Sequence, residues 1–181
     1  MDVLIIDNND SFTRNLEQLI IAVSGGTTEV AEYSRIPVLD IFSYDHIFIS
    51  PGPGHPKEYP VYRFIKEINT PVTGICLGMQ VINEIFGGKT GRLGRGIHGK
   101  TLPFEYNGET RQTARYHSLY CSEVSDCFNI TYDCSSVPMI ISHKQKQITG
   151  IQFHPESFMT EKGEEYIEYV LRRIPQGAPL S

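Results

Sequence analysis

The sequence has no basic run, no long hydrophobic stretch and no paired cysteines, and each absence removes a class of function. Its 16 Lys plus Arg are outnumbered by 21 Asp plus Glu, a formal net charge of -5, and nowhere line up to neutralise several phosphates in a row. Nucleic acid is therefore not expected as a partner. The longest apolar stretches, such as residues 19–23, fall far below the ~18 residues of a membrane span, so no membrane partner is expected either. The chain opens Met1-Asp2-Val3-Leu4-Ile5-Ile6-Asp7, acidic where a secretory signal is basic, which points to a cytoplasmic location. Cysteines stand at 76, 121, 127 and 134, with no C-x-x-C pair and too sparsely for a disulfide scaffold, so reduced thiols are expected.

What is there is an ordinary folded composition: 40% hydrophobic and 20% charged residues over 181 positions, with 16 Gly and 11 Pro. At ~150 residues per domain, one domain is expected over residues 1–174, followed by a flexible C-terminal tail at 175–181.

Residues 3–6 form an apolar strand pattern that runs into the turn and N-cap formers Asp7-Asn8-Asn9-Asp10-Ser11. Phe12, Leu16, Leu19, Ile20 and Val23 then recur at helical spacing until Gly25-Gly26. Residues 28–33 and 46–50 read as further strands, the second broken by Pro51-Gly52-Pro53-Gly54-His55-Pro56. Pro60, placed as a first-turn proline, opens a helical stripe of Val61, Phe64, Ile65 and Ile68. Residues 71–75 make a buried strand, and Met79, Val81, Ile82, Ile85 and Phe86 suit a core helix stopped by Gly87-Gly88. From residue 100 to 151 short strands alternate with turns: Tyr106-Asn107-Gly108-Glu109 is a hairpin turn, and 137–142 faces 147–151. A last helix from about Glu161 turns Tyr166, Ile167, Val170, Leu171 and Ile174 inward. This order predicts an α/β fold: a doubly wound, mostly parallel central sheet with flanking helices and a small antiparallel extension.

The chemistry centres on Gly74-Ile75-Cys76-Leu77-Gly78, a G-x-C-x-G set between an apolar strand and a helix. That is the setting of a nucleophile elbow, with cysteine in place of serine. The turn exposes the side chain at a strand tip, puts it at a helix N-terminus that favours thiolate, and aims the Leu77 N–H at an incipient oxyanion. The pattern by itself leaves open a small buried cysteine. Cys121, Cys127 and Cys134 have no such setting and are expected to be packing residues. A thiol nucleophile needs a base. Among six histidines, His154 stands out in Gln152-Phe153-His154-Pro155-Glu156, because in extended backbone Glu156 projects to the same side and reaches the ring. A surface His beside a Glu fits the same spacing.

Asp7-Asn8-Asn9-Asp10-Ser11-Phe12, Ser50-Pro51-Gly52-Pro53-Gly54, Gly74 to Gln80, Tyr116-His117-Ser118-Leu119 and Gln152 to Ser157 together resemble the class I glutamine amidotransferases, a flavodoxin-like fold. The likeness is closest to the glutaminase subunits of anthranilate synthase and 4-amino-4-deoxychorismate synthase. It implies a Cys-His-Glu triad at Cys76, His154 and Glu156, an oxyanion hole at Gly52 and Leu77, and glutamine held at Gly52, Gln80, Ser118 and Leu119. It further implies glutamine hydrolysis through a γ-glutamyl thioester, with ammonia passed to a chorismate-utilising synthase subunit in a heterodimer or heterotetramer. No metal or cofactor is implied in this chain, and Mg²⁺ is expected in the partner synthase. Another glutaminase subunit, or a stand-alone γ-glutamyl hydrolase, is the alternative. Met79 departs from the pattern, since the nearest family members usually carry His there.

Overall fold

Val3, Leu4, Ile5 and Ile6 are all without solvent exposure and fill the middle of β1 (Asp2–Asp7). Their side chains alternate between faces: Val3 and Ile5 pack with Leu16 and Ile20 of α1 (Thr13–Ser24), while Leu4 and Ile6 join a second core across the sheet. A strand buried on both faces belongs inside a parallel sheet covered by helices. β1 accordingly pairs in parallel with β2 (Thr27–Glu32) on one side and β3 (His46–Ile49) on the other. Next come β4 (Val72–Ile75) and, also parallel, β9 (Ile148–Ile151). β8 (Pro138–His143) and β7 (Phe128–Tyr132) close the edge antiparallel, in the order β2-β1-β3-β4-β9-β8-β7. α1 and α3 (Gly163–Arg172) line one face, and α2 (Leu77–Ile85) lies on the other. The expected α/β, mostly parallel sheet is the one observed.

The structure describes residues 1–172 of this computed structural model, the side chains at 95 and 98 excepted. Ile174 and the 175–181 tail lie outside the described residues.

Three expectations are corrected. The stripe after Pro60 is a 3₁₀ segment, Pro60–Lys66, rather than an α-helix. Its buried side chains are Tyr62 and Ile65, at the spacing of three that a 3₁₀ turn requires and continued by Ile68 just beyond it, and Val61 is exposed. The first part of the region expected to hold short strands instead forms two long ones, β5 (Lys89–Tyr106) and β6 (Glu109–Glu123), paired antiparallel about the expected turn, and the short strands expected there are found after them as β7, β8 and β9. Register shifts between Arg92 and Ile97 and between His98 and Lys100 break the alternation by which a strand is read. Finally, Cys134 is exposed and Cys127 only half-buried; of the three non-elbow cysteines, Cys121 alone is a fully buried packing residue.

Because β1, β3, β4 and β9 are adjacent and parallel, the residues after their carboxyl ends leave one edge together. Asn8 ties that edge: its Nδ2 donates to the Ser50 carbonyl at 2.9 Å, its N–H to Ser50 Oγ at 2.9 Å, and its Oδ1 accepts from Tyr62 Oη at 2.7 Å. The loop carrying Gly52 is thereby fixed to the end of β1.

Candidate active site

Cys76 sits between β4 and α2 at φ 52°, ψ -102°, a left-handed backbone that costs a non-glycine residue roughly 1–2 kcal/mol. The flanking glycines make the turn possible by close approach. A Cβ on Gly74 would stand 2.3 Å from the Gly78 carbonyl carbon, and one on Gly78 would stand 2.5 Å from the Ile49 oxygen. Strand, elbow and helix are thus packed backbone to backbone, and Cys76 is held at the strand tip with 7% exposure, where α2 begins.

His154 and Glu156 meet as expected, Nδ1 to Oε1 at 2.7 Å, both side chains buried. The route differs from extended backbone: the Ser157 N–H donates to the His154 carbonyl at 3.2 Å, so a turn folds Glu156 back onto the ring. Thr160 Oγ1 donates to the same carbonyl at 2.6 Å and accepts from the Ala114 N–H at 3.0 Å, fastening this turn to β6. Burial opposes charge on the imidazole, yet Glu156, with Cys76 adding to it, holds His154 well above its ordinary range. His154 Nε2 and Glu156 Oε2 are buried without a hydrogen-bond partner among the described residues.

A cavity of about 230 Å³ opens over the elbow, lined by Gly52, Cys76, Leu77, Gln80, Ser118 and Leu119 among others. Every residue expected to form the site except the His154–Glu156 pair lies on its wall. Gly52 and Leu77 are in close approach, since a Cβ on Gly52 would fall 2.8 Å from Leu77 Cδ2. Gln80 braces this wall: its Nε2 donates to the Leu119 carbonyl at 3.0 Å and to Gln152 Oε1 at 3.1 Å. Met79 is fully buried and packs so close to Gly150 of β9 that a Cβ there would stand 2.6 Å from its Cγ, so it serves the core.

Four side chains at the site had no chemical role in the sequence reading. Gln152 Nε2 donates toward Cys76 Sγ at 3.5 Å, joining the thiol to the Gln80 network. The signal was its position just past β9, the strand next to the elbow's own. Phe12 and Tyr116 place their rings 5.3 and 5.1 Å from that of His154. His117, also on the cavity wall, bonds through Nδ1 to the Leu119 carbonyl at 2.9 Å. A carbonyl only accepts, so Nδ1 carries the proton and Nε2 is left as an acceptor.

Burial pushes His117 down to about 4, and burial likewise pushes His46, bonded to Thr73 Oγ1, down to about 3. Both rings stay neutral in the fold where an unfolded histidine, at ~6.5, is charged. Each takes up a proton on unfolding, so their contribution to stability is complete above about pH 6.5 and is lost as pH falls below it. The slope is up to ~1.4 kcal/mol per pH unit per ring. The urea midpoint is expected to drop between pH 7 and pH 5, and to drop less in His46→Gln. A drop as large in His46→Gln as in the wild type would mean that the His46 ring takes up its proton in the fold as readily as in the unfolded chain.

The arrangement provides a thiol on a strained elbow, an imidazole oriented by a carboxylate, and backbone N–H groups at a helix start, the parts needed for acyl transfer. The family model described as Glutamine amidotransferase class-I matches residues 4–174. Anthranilate synthase component 2 of Leptospira biflexa is 38% identical, covering 91% of this chain and 96% of that protein. Aminodeoxychorismate synthase component 2 of Escherichia coli K12 is 36% identical, covering 94% and 100% respectively. Among solved structures, a glutamine amidotransferase from Thermotoga maritima shares the fold with a TM-score of 0.70 at 14% identity, over 86% of this chain and 76% of that one.

Proposed function

This chain belongs to the class I glutamine amidotransferase family, and we propose that it is the glutaminase subunit of a chorismate-utilising synthase, hydrolysing glutamine and passing on the ammonia. The observation that carries the site assignment is the Cys76 elbow beside the 2.7 Å His154–Glu156 pair, with the cavity opening over the thiol.

In this reading the Cys76 thiolate attacks the carboxamide carbon of glutamine, and the oxygen of the tetrahedral adduct takes hydrogen bonds from the Gly52 and Leu77 N–H groups. Protonated His154 gives its proton to the departing nitrogen, the C–N bond breaks, and ammonia leaves a γ-glutamyl thioester on Cys76. Water then loses a proton to His154 Nε2 and attacks the thioester. The C–S bond breaks, glutamate is released, and thiolate and imidazolium are restored. Glu156 keeps the ring in one orientation throughout. Gln80 acts on glutamine mainly by holding Leu119 in place, and Ser118 and Leu119 supply backbone contacts to the substrate. The scheme draws on side chains and backbone alone, with Mg²⁺ assigned to the partner synthase.

Ammonia is useful only where an acceptor waits. The chain is assigned a cytoplasmic place beside a synthase subunit in a heteromeric complex, docked on the rim formed by Asn9 to Phe12, Gly54 to Pro56, and Leu119 with Tyr120. Among the described residues no helix is long and apolar enough to cross a membrane. The test is glutamate release by the purified chain with and without a chorismate-utilising synthase and chorismate, with Cys76→Ala as blank. Cys76-dependent release that rises with the partner is expected. Full release of glutamate from γ-glutamyl substrates by the chain alone, unmoved by any synthase, would overturn the subunit assignment.

A further inference from the structure

One hydrogen bond to one nitrogen does not hold an imidazole. The Glu156 contact fixes Nδ1 but leaves the ring free to tilt about it, so the plane in which Nε2 meets the thiol must be set by packing. Two rings supply part of that packing. Phe12 lies 5.3 Å from His154 at 57°, Tyr116 lies 5.1 Å from it at 80°, and the two lie 5.0 Å from each other, closing a triangle. Tyr116 is anchored on β6 and bonds through its hydroxyl to Met159 Sδ.

Phe12 comes from the turn between β1 and α1, a sequence motif for which hydrolysis itself has no use. That turn is braced at each step. Asp7 Oδ1 accepts from the Asp10 N–H at 3.2 Å and from Thr13 Oγ1 at 2.7 Å, Asn9 adopts a left-handed φ of 61°, and Asp10 Oδ1 accepts from the Phe12 N–H at 2.8 Å. The outcome of the bracing is locally unfavourable: Phe12 occupies the N-cap of α1, where it makes no side-chain cap, although Asp, Asn and Ser stand within four residues before it. A residue that forfeits a cap worth ~1 kcal/mol while staying half-exposed has its use elsewhere, and its ring is on His154. Asp10 is engaged at the same place. Burial pushes its carboxyl up, while the Phe12 N–H and the charge on His154 pull it down.

We propose that Phe12, presented by the Asp7–Asp10 turn, is a positioning residue for His154: with Tyr116 it walls the imidazole so that Nε2 stays on the line to the Cys76 sulfur. This rests on the glutaminase reading above. Phe12→Ala, Phe12→Leu and Phe12→Tyr would be compared in the synthase complex for kcat and KM with glutamine. In the isolated chain they would be compared for the rate at which iodoacetamide alkylates Cys76, resolved by peptide mass spectrometry from exposed Cys134. Phe12→Ala is expected to lower kcat about tenfold or more, as a misplaced reacting group does, with KM within about twofold. Cys76 alkylation should slow in parallel, and Phe12→Tyr should restore both. Phe12→Leu keeps apolar bulk, preserving the fold should the alanine variant lose it, and should lie between. Wild-type kcat and alkylation in folded Phe12→Leu and Phe12→Ala, with Cys76→Ala inactive, would overturn the role of Phe12 and leave the glutaminase reading standing. Wild-type glutamine hydrolysis by Cys76→Ala would overturn that reading itself.

Discussion

Replacing Cys76 with alanine is expected to abolish glutamate release from glutamine, a loss of ~10⁴-fold or more, and His154→Ala is expected to match it. The two act in one step: without the sulfur no acyl group can be held, and without the imidazole neither the leaving nitrogen nor the attacking water has a proton partner. Their double variant should therefore be little worse than either single one. Ammonium salt supplied directly to the Cys76→Ala complex should still support amination by the synthase, because only the source of ammonia has been removed. The fold supplies a control. Cys76 holds its place at the strand tip with a left-handed φ of 52°, a strain that glycine does not feel. Cys76→Gly is accordingly expected to be as inactive as Cys76→Ala yet about 1 kcal/mol more stable than it in urea unfolding. Substantial glutamine hydrolysis in either variant would remove Cys76 from the chemistry.

The strain at Cys76 also shows what kind of information the sequence carries. The elbow was readable because its geometry is local: two glycines, an apolar strand before and a helix after define it within a few residues, and Gly74 and Gly78 do make the close approaches it needs. β1 and α1 were readable for the same reason, periods of two and 3.6 written in consecutive residues. The segment after Pro60 was misread because Val61, Phe64, Ile65 and Ile68 satisfy an α-helical template, whereas the core sees Tyr62, Ile65 and Ile68. Periods of 3.0 and 3.6 separate poorly over so few positions. The β5–β6 ribbon was misjudged in length because its register shifts fall where alternation would have to continue. Gln152 and Phe12 act through pairings 76 and more than a hundred residues away in the chain, with Cys76 and His154 respectively, which no local window contains. His154 and Glu156 were rightly paired for an incomplete reason, since the contact depends on a turn stapled by Thr160 rather than on an extended strand.

That dependence bears on what Glu156 contributes. Glu156→Gln keeps the shape of the side chain and, through its amide oxygen, an acceptor for Nδ1–H, but removes the charge. In the native site the carboxylate offsets the burial that would otherwise discharge the imidazole and keeps His154 well above its ordinary range. Without it burial prevails, and the folded-state value of His154 falls. The sign for activity follows from the scheme: thiolate attack needs the imidazolium to donate to the leaving nitrogen, so activity is lost on the alkaline side as His154 deprotonates. The alkaline limb of kcat/KM is therefore expected to move to lower pH in Glu156→Gln, and activity at neutral pH to drop by about 10²- to 10⁴-fold. Stability follows the same direction. A raised imidazole contributes stability that is complete below the unfolded value of ~6.5 and is lost as pH rises through the folded one, so the variant should lose most of its stability deficit at alkaline pH. The measurement is a pair of pH profiles, kcat/KM and urea midpoint, for wild type and Glu156→Gln. An alkaline limb that stays in place while the rate falls would mean that Glu156 orients the ring without sustaining its charge, and the ring would then owe its proton to the Cys76 sulfur alone.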